Sequence, residues 1–210
     1  MMAPRRKTHR KAHADGEGNG SASGSANGNG RAAGLSHLDA SDRPAMVDVG
    51  AKAVTHRVAE AEARVRLPAS VAAALRRSGH RTRKGPVFDT AILAGVMGAK
   101  RTAELIPFCH PLALENCQVS IDFERGARAS GRASGSTLIS VRCRVEVHHK
   151  TGVEMEALTG ATLAALTIYD MCKALSHDIR IEAVRLLSKR GGRRLVGAVS
   201  PRPTAAGEAA

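Results

Sequence analysis

Two stretches of this chain, residues 117–123 (CQVSIDF) and 141–148 (VRCRVEVH), alternate apolar and polar residues without a break. A strand sends successive side chains to opposite faces, so strict alternation describes an extended segment with one face on a core. The Gly/Ser/Arg-rich stretch 125–136 between them is turn chemistry, and the two segments are expected to pair antiparallel. A sheet with one apolar face needs a second layer, which the rest of the chain must supply.

Helices are the available material. Pro68 stands at the start of a short amphipathic stretch, 70–77, that ends before Gly79. Lys84-Gly85-Pro86 leads into a second helix over 87–105, closed by Pro107. Its small residues Ala91, Ala94, Gly95, Gly98 and Ala99 permit close packing against a sheet or a neighbouring subunit. A third helix is expected over 154–175. Residues 54–67 contain alternating runs that suit a half-buried strand, 46–49 read as a short strand, and 180–189 as a last extended segment. Strands interleaved with helices, plus a hairpin, make the domain α+β: an antiparallel sheet covered by helices, with a ferredoxin-like arrangement as the natural candidate. With no Trp, one Tyr and three Phe, its core must be aliphatic.

The ends differ from the middle. Residues 1–34 hold 7 of the 21 glycines and no large apolar residue after Met2. Such a segment cannot bury enough surface to offset its ordering entropy, so a disordered basic tail is expected there. Residues 193–210 turn to Pro, Ala and Arg and read as a flexible tail, which leaves a domain over 35–192. The ends account for +6 of the formal charge of +13, so +7 belongs to residues 35–190. A basic folded domain points to a phosphorylated ligand or to nucleic acid. Four widely spaced cysteines form neither a disulfide scaffold nor a zinc ribbon. No apolar run approaches 18 residues, and the basic N-terminus lacks the apolar stretch of a signal peptide. The expectation is a cytoplasmic protein without a membrane span.

Individual residues allow two readings each. Asp170 and Lys173 share a helix face and are either a surface ion pair or part of a site, since Ala157 to Tyr169 before them carries no charge. Glu154 and Glu156 in the first turn suit the helix dipole. Glu156 and Asp170 are 14 residues apart, about 21 Å along a helix, so one reacting group cannot meet both from one chain. If both matter, they hold different ends of a ligand or belong to a site built from two subunits. Pro107 and Pro111 stiffen the turn that presents Cys109 and His110, which taken alone are packing residues. His148 and His149 fall on opposite strand faces, and no metal site is proposed. Lys84, Lys150 and Lys189 stand close to glycines, where an ammonium and backbone N–H groups can meet a phosphate, or are simply solvated. Arg57 is unremarkable by itself.

Residues 46–53 (MVDVGAKA), 84–91 (KGPVFDTA), 99–112 (AKRTAELIPFCHPL), 150–175 (KTGVEMEALTGATLAALTIYDMCKAL) and 184–192 (VRLLSKRGG) resemble the signature segments of the cyclic pyranopterin monophosphate synthase family of molybdenum cofactor biosynthesis. The resemblance spans about three quarters of the chain, and chance does not reproduce its two long segments. It implies a ferredoxin-like subunit in a homohexamer, a trimer of dimers, with active sites at subunit interfaces. It implies a lyase that converts 3′,8-cyclo-7,8-dihydroguanosine triphosphate to cyclic pyranopterin monophosphate and releases pyrophosphate. On matching positions it implies Asp170, Lys173 and Lys84 as catalytic. Phe108, Cys109, His110, Glu154, Met155 and Glu156 would line the substrate pocket, and Arg57 and Lys189 would meet the triphosphate. The sequence requires no cofactor and leaves open whether Mg²⁺ accompanies the triphosphate.

Two features depart from the family pattern: the basic tail, and SKRGGRRL in place of an SGG ending, which puts Arg190 and Arg193 near the expected phosphate contacts. The rival reading is a basic ferredoxin-like nucleic-acid-binding module. Such sheets stack bases on exposed aromatics, and the two alternating strands offer only Phe123.

Overall fold

The alternating segments form neighbouring strands of a four-stranded antiparallel sheet in a computed structural model, which describes residues 43–124, 136–192 and 194–197. The tail expected over 1–34 and the loop 125–135 lie outside the described residues, as do 193 and 198–210 of the expected C-terminal tail. The elements run β1 (Thr55–Leu67), α1 (Ala69–Arg77), β2 (Arg81–Thr82), β3 (Gly85–Pro86), α2 (Val87–Lys100), α3 (Thr102–Leu105), β4 (Asn116–Phe123), β5 (Thr137–His149), α4 (Glu154–Cys172) and β6 (Arg180–Arg190). The fold is α+β, with sheet order β4-β5-β1-β6. Both crossovers carry helices, the β-α-β-β-α-β succession of the split-βαβ motif.

Odd positions of β1 (Ala59, Ala61, Ala63, Val65, Leu67) and of β5 (Ile139, Val141, Cys143, Val145) make one buried apolar face. Alanines of α4 and Ile168 complete this core, so the scarcity of aromatics is met by aliphatic packing. The two long helices touch through their smallest residues. A Cβ on Gly95 would lie 2.9 Å from the Gly160 carbonyl, and one on Gly160 would lie 2.5 Å from the Cys143 sulfur. The small-residue stripe of α2 therefore packs on α4 of the same chain. Outside it, Leu93 (66% exposed), Met97 and Leu166 leave the outer side of the helix layer apolar and uncovered.

Several local expectations need correction. Residues 46–49 form no strand; they run as an irregular strap, with Asp48 Oδ1 accepting the Gly50 N–H at 2.8 Å. The second helix breaks at Arg101, whose N–H turns back to Gly98, while the Thr102 hydroxyl donates to the Ala99 carbonyl at 3.0 Å and restarts the chain as α3. The middle of the polar face of β1, at Glu60 and Glu62, is also buried rather than half-exposed. Glu62 is 4% exposed and accepts hydrogen bonds from Ser140 at 2.9 Å and Arg185 at 2.9 Å. Burial alone would raise its carboxyl, but these two donors, with Arg142, hold it below the ordinary glutamate value. The alternation was legible; the cross-strand ion network that covers this face was not.

The short β2–β3 hairpin had no sequence expectation. Gly79 and His80 both take positive φ (61° and 62°), and the His80 ring stacks on Phe88 with centroids 4.4 Å apart. No helix among the described residues is long and apolar enough to cross a membrane.

Candidate active site

An open cleft of about 620 Å³ lies where α4 begins. Four segments meet there: the strap before β1, the turn after α3, the β5–α4 connection, and the end of β6. Phe108, Cys109 and His110 come from the stiff Pro107–Pro111 turn, Glu154, Met155 and Glu156 from the first turn of α4, Arg57 from β1 and Lys189 from β6. Sheet order explains the meeting, because β1 lies between β5 and β6 and brings both of their ends to one edge.

Backbone carbonyls hold several of these groups. His110 donates from Nε2 to the Val47 carbonyl at 2.9 Å, and Lys150 donates to the Gly50 carbonyl at 2.7 Å, so two cleft side chains fasten the strap. Arg57, buried in this arrangement, donates from Nε to His149 O and from Nη2 to Lys150 O, each at 3.1 Å. Two of its three nitrogens therefore shape the β5–α4 turn. Lys189 is ion-paired with Glu154 inside the cleft. Arg190, one residue on, turns to the opposite face, 3.5 Å from His56 Nδ1, so the SKRGG departure adds its charge away from the cleft.

Glu156 is the outlier. It is 4% exposed, and among the described residues no other side chain bonds to its carboxyl. Burial, with the nearby charge of Glu154, pushes it up to about 7, against a partial offset from its own backbone N–H. A carboxyl in this range can hold or release a proton near neutral pH. Burial also raises the Cys109 thiol, and Glu156 adds to it, so Cys109 stays protonated. His110 and Glu156 also line a second cavity of about 350 Å³ beside Lys100 and Arg101.

Asp170, Lys173 and Lys84 gather elsewhere. Lys173 Nζ lies 2.7 Å from Asp170 Oδ1, and Lys84 Nζ donates to Asp170 Oδ2 at 2.7 Å and to its carbonyl at 2.9 Å. Lys173, then Lys84, hold the Asp170 carboxyl down to about 2, so it is ionised throughout the working range. All three are exposed at the C-terminal end of α4, with Asp170 about 21 Å along the helix from Glu156. One chain thus assembles eight of the sequence-identified residues in the cleft and the other three in a separate cluster.

Sequence reasoning left Asp48 and Lys52 out of the site; both line the cleft. The signal was present in the MVDVGAKA segment, but reading it as a strand hid it. His148 pairs with Glu115 at 2.8 Å and stacks on His56, while His149 accepts from Thr151 N–H. Among the described residues no group of three or more His, Cys, Asp or Glu is arranged to hold a metal ion.

Residues 46–192 match the model of the MoaC family. A protein of Xanthomonas oryzae pv. oryzae named cyclic pyranopterin monophosphate synthase is 55% identical over 168 residues, covering 80% of this chain and 96% of that protein. A protein of Xanthomonas axonopodis pv. citri with the same name is also 55% identical, with the same coverage. The molybdenum cofactor biosynthesis protein 1 of Dictyostelium discoideum is 42% identical over 175 residues, covering 75% of this chain but 26% of that longer protein. The chain belongs to the MoaC family.

Proposed function

From this family membership we propose that the protein is a cyclic pyranopterin monophosphate synthase, a lyase that takes 3′,8-cyclo-7,8-dihydroguanosine triphosphate to cyclic pyranopterin monophosphate and pyrophosphate in molybdenum cofactor biosynthesis. The observation that carries the reading is the cleft itself. Residues of both long signature segments, Phe108 to His110 and Glu154 to Glu156, face one cavity large enough for a nucleotide.

Closing a cyclic monophosphate on a triphosphate requires a substrate hydroxyl to attack the α-phosphorus while pyrophosphate leaves. A base takes the hydroxyl proton, and cations hold the departing charge. Rebuilding the purine ring needs further proton transfers, for which Asp170 and Lys173, with Lys84 beside them, are the proposed groups.

Asp170 lies about 21 Å along α4 from Glu156, which favours a site shared between subunits over one chain holding different ends of the ligand. In this reading the active unit is an oligomer in which the cleft of one ferredoxin-like subunit faces the Lys84–Asp170–Lys173 cluster of another. Family resemblance supports a homohexamer, and the uncovered Leu93, Met97 and Leu166 surface supports association. This reading places the enzyme in the cytoplasm. The test supplies enzymatically generated substrate and quantifies pyrophosphate and the pyranopterin product. Formation of both supports the lyase; a folded oligomer that forms neither refutes it and leaves RNA binding as the reading to examine.

A further inference from the structure

We propose that Arg81 and Arg83, on the β2–β3 hairpin, are additional substrate-binding residues that grip the polyphosphate; the inference rests on the lyase reading and extends its site. Of the four lysines and arginines that line the cleft, all but Lys52 are committed. Lys189 is neutralised by Glu154, two nitrogens of Arg57 are bound to carbonyls, and Lys150 holds the strap. A triphosphate carries several negative charges and calls for more donors than these.

The hairpin supplies them. Residues 76–84 contain Arg76, Arg77, Arg81, Arg83 and Lys84 with no acid among them. Two of these have local explanations: Arg76 lies 4.5 Å over the Phe123 ring, and Arg77 complements the C-terminal dipole of α1. Lys84 is tied to Asp170. Arg81 and Arg83 are exposed, and among the described residues neither side chain has a hydrogen-bond or ion-pair partner.

Their platform is rigid. The Ser78 hydroxyl accepts the Arg81 N–H at 3.1 Å and donates to the Arg81 carbonyl at 2.7 Å. The His80 N–H bonds to Leu75 O at 2.7 Å, and Val87 N–H returns to His80 O at 2.8 Å. Through Lys84 the turn is moored to the catalytic end of α4, so Arg83 lies one residue, about 3.8 Å of backbone, from a group assigned to the chemistry. A guanidinium fork held on a fixed turn loses little freedom when it meets phosphate oxygens.

The experiment uses the assembled full-length protein as Arg81→Gln, Arg83→Gln, the double variant, and Arg81→Lys/Arg83→Lys. Steady-state kinetics are paired with calorimetric titration of inorganic tripolyphosphate. Expected are increases in KM of about tenfold for each single Gln variant and about a hundredfold for both, with kcat nearly constant, partial recovery by lysine, and a parallel loss of tripolyphosphate affinity. KM and tripolyphosphate affinity both within twofold of wild type overturn the inference. A wild type that binds tripolyphosphate through these arginines but shows no turnover would sustain the patch and refute the lyase reading.

Discussion

Replacing Glu156 by Gln should make the protein more stable at alkaline pH and leave it unchanged at acid pH. The side chain is 4% exposed, and its carboxyl stands at about 7 against an ordinary 4.5, chiefly through burial. That difference corresponds to about 3 kcal/mol of preference for the protonated form in the folded state. Below pH 4.5 both folded and unfolded chains carry the proton, and the group contributes no pH dependence. Between 4.5 and 7 the unfolded chain has released it while the folded chain still holds it. The folded state then binds more protons, and stability falls as pH rises. Above 7 both are ionised and the full penalty of about 3 kcal/mol applies. Glutamine keeps the shape and cannot ionise. Urea unfolding at fixed protein concentration should therefore give a stability difference between variant and wild type near zero at pH 4.5, growing to about 3 kcal/mol by pH 8. A difference that stays within about 0.5 kcal/mol across this range would refute the reasoning and mean that Glu156 is solvated or paired in the assembled protein.

Three further outcomes follow from the geometry. Lys173→Ala removes one arm of an exposed pair, so it should cut turnover by about a hundredfold or more while thermal melting moves by no more than about 2 °C; a large loss of both would make the pair structural. Gly160→Ala puts a methyl 2.5 Å from the Cys143 sulfur and should cost about 2 kcal/mol in chemical denaturation, since the helix must lift from the sheet; an unchanged midpoint would contradict the packing. Co-refolding Asp170→Asn with Glu156→Gln chains, each inactive alone, should restore about a quarter of wild-type turnover if each site takes one part from each of two subunits; no recovery in mixed oligomers would confine the site to one chain.

Much of the fold follows from local pattern. Alternation in CQVSIDF and VRCRVEVH specified β4 and β5 because a strand has period two, and the charge-free run before Asp170 specified a buried helix. The signature segments likewise pointed to the residues that line the cleft. Where local geometry competed with pattern, the sequence was silent. Thr102 rebonding splits α2 from α3, and the 46–52 strap is held by His110 and Lys150, residues far along the chain.

The sequence by itself determined the residue types of the site and, through the 14-residue spacing in one helix, that Glu156 and Asp170 cannot meet on one small group. Only the tertiary structure decided which residues share a location. Sheet order β4-β5-β1-β6 draws Arg57, Lys150 and Lys189 to one edge, from strands that are remote in sequence but adjacent in space. It also turned the middle of the polar face of β1 into a buried ion network, and it fixed Lys84 on Asp170 through a hairpin with no periodic signature. The physical reason is range: periodicity records how one element meets a core, whereas a site depends on which elements become neighbours.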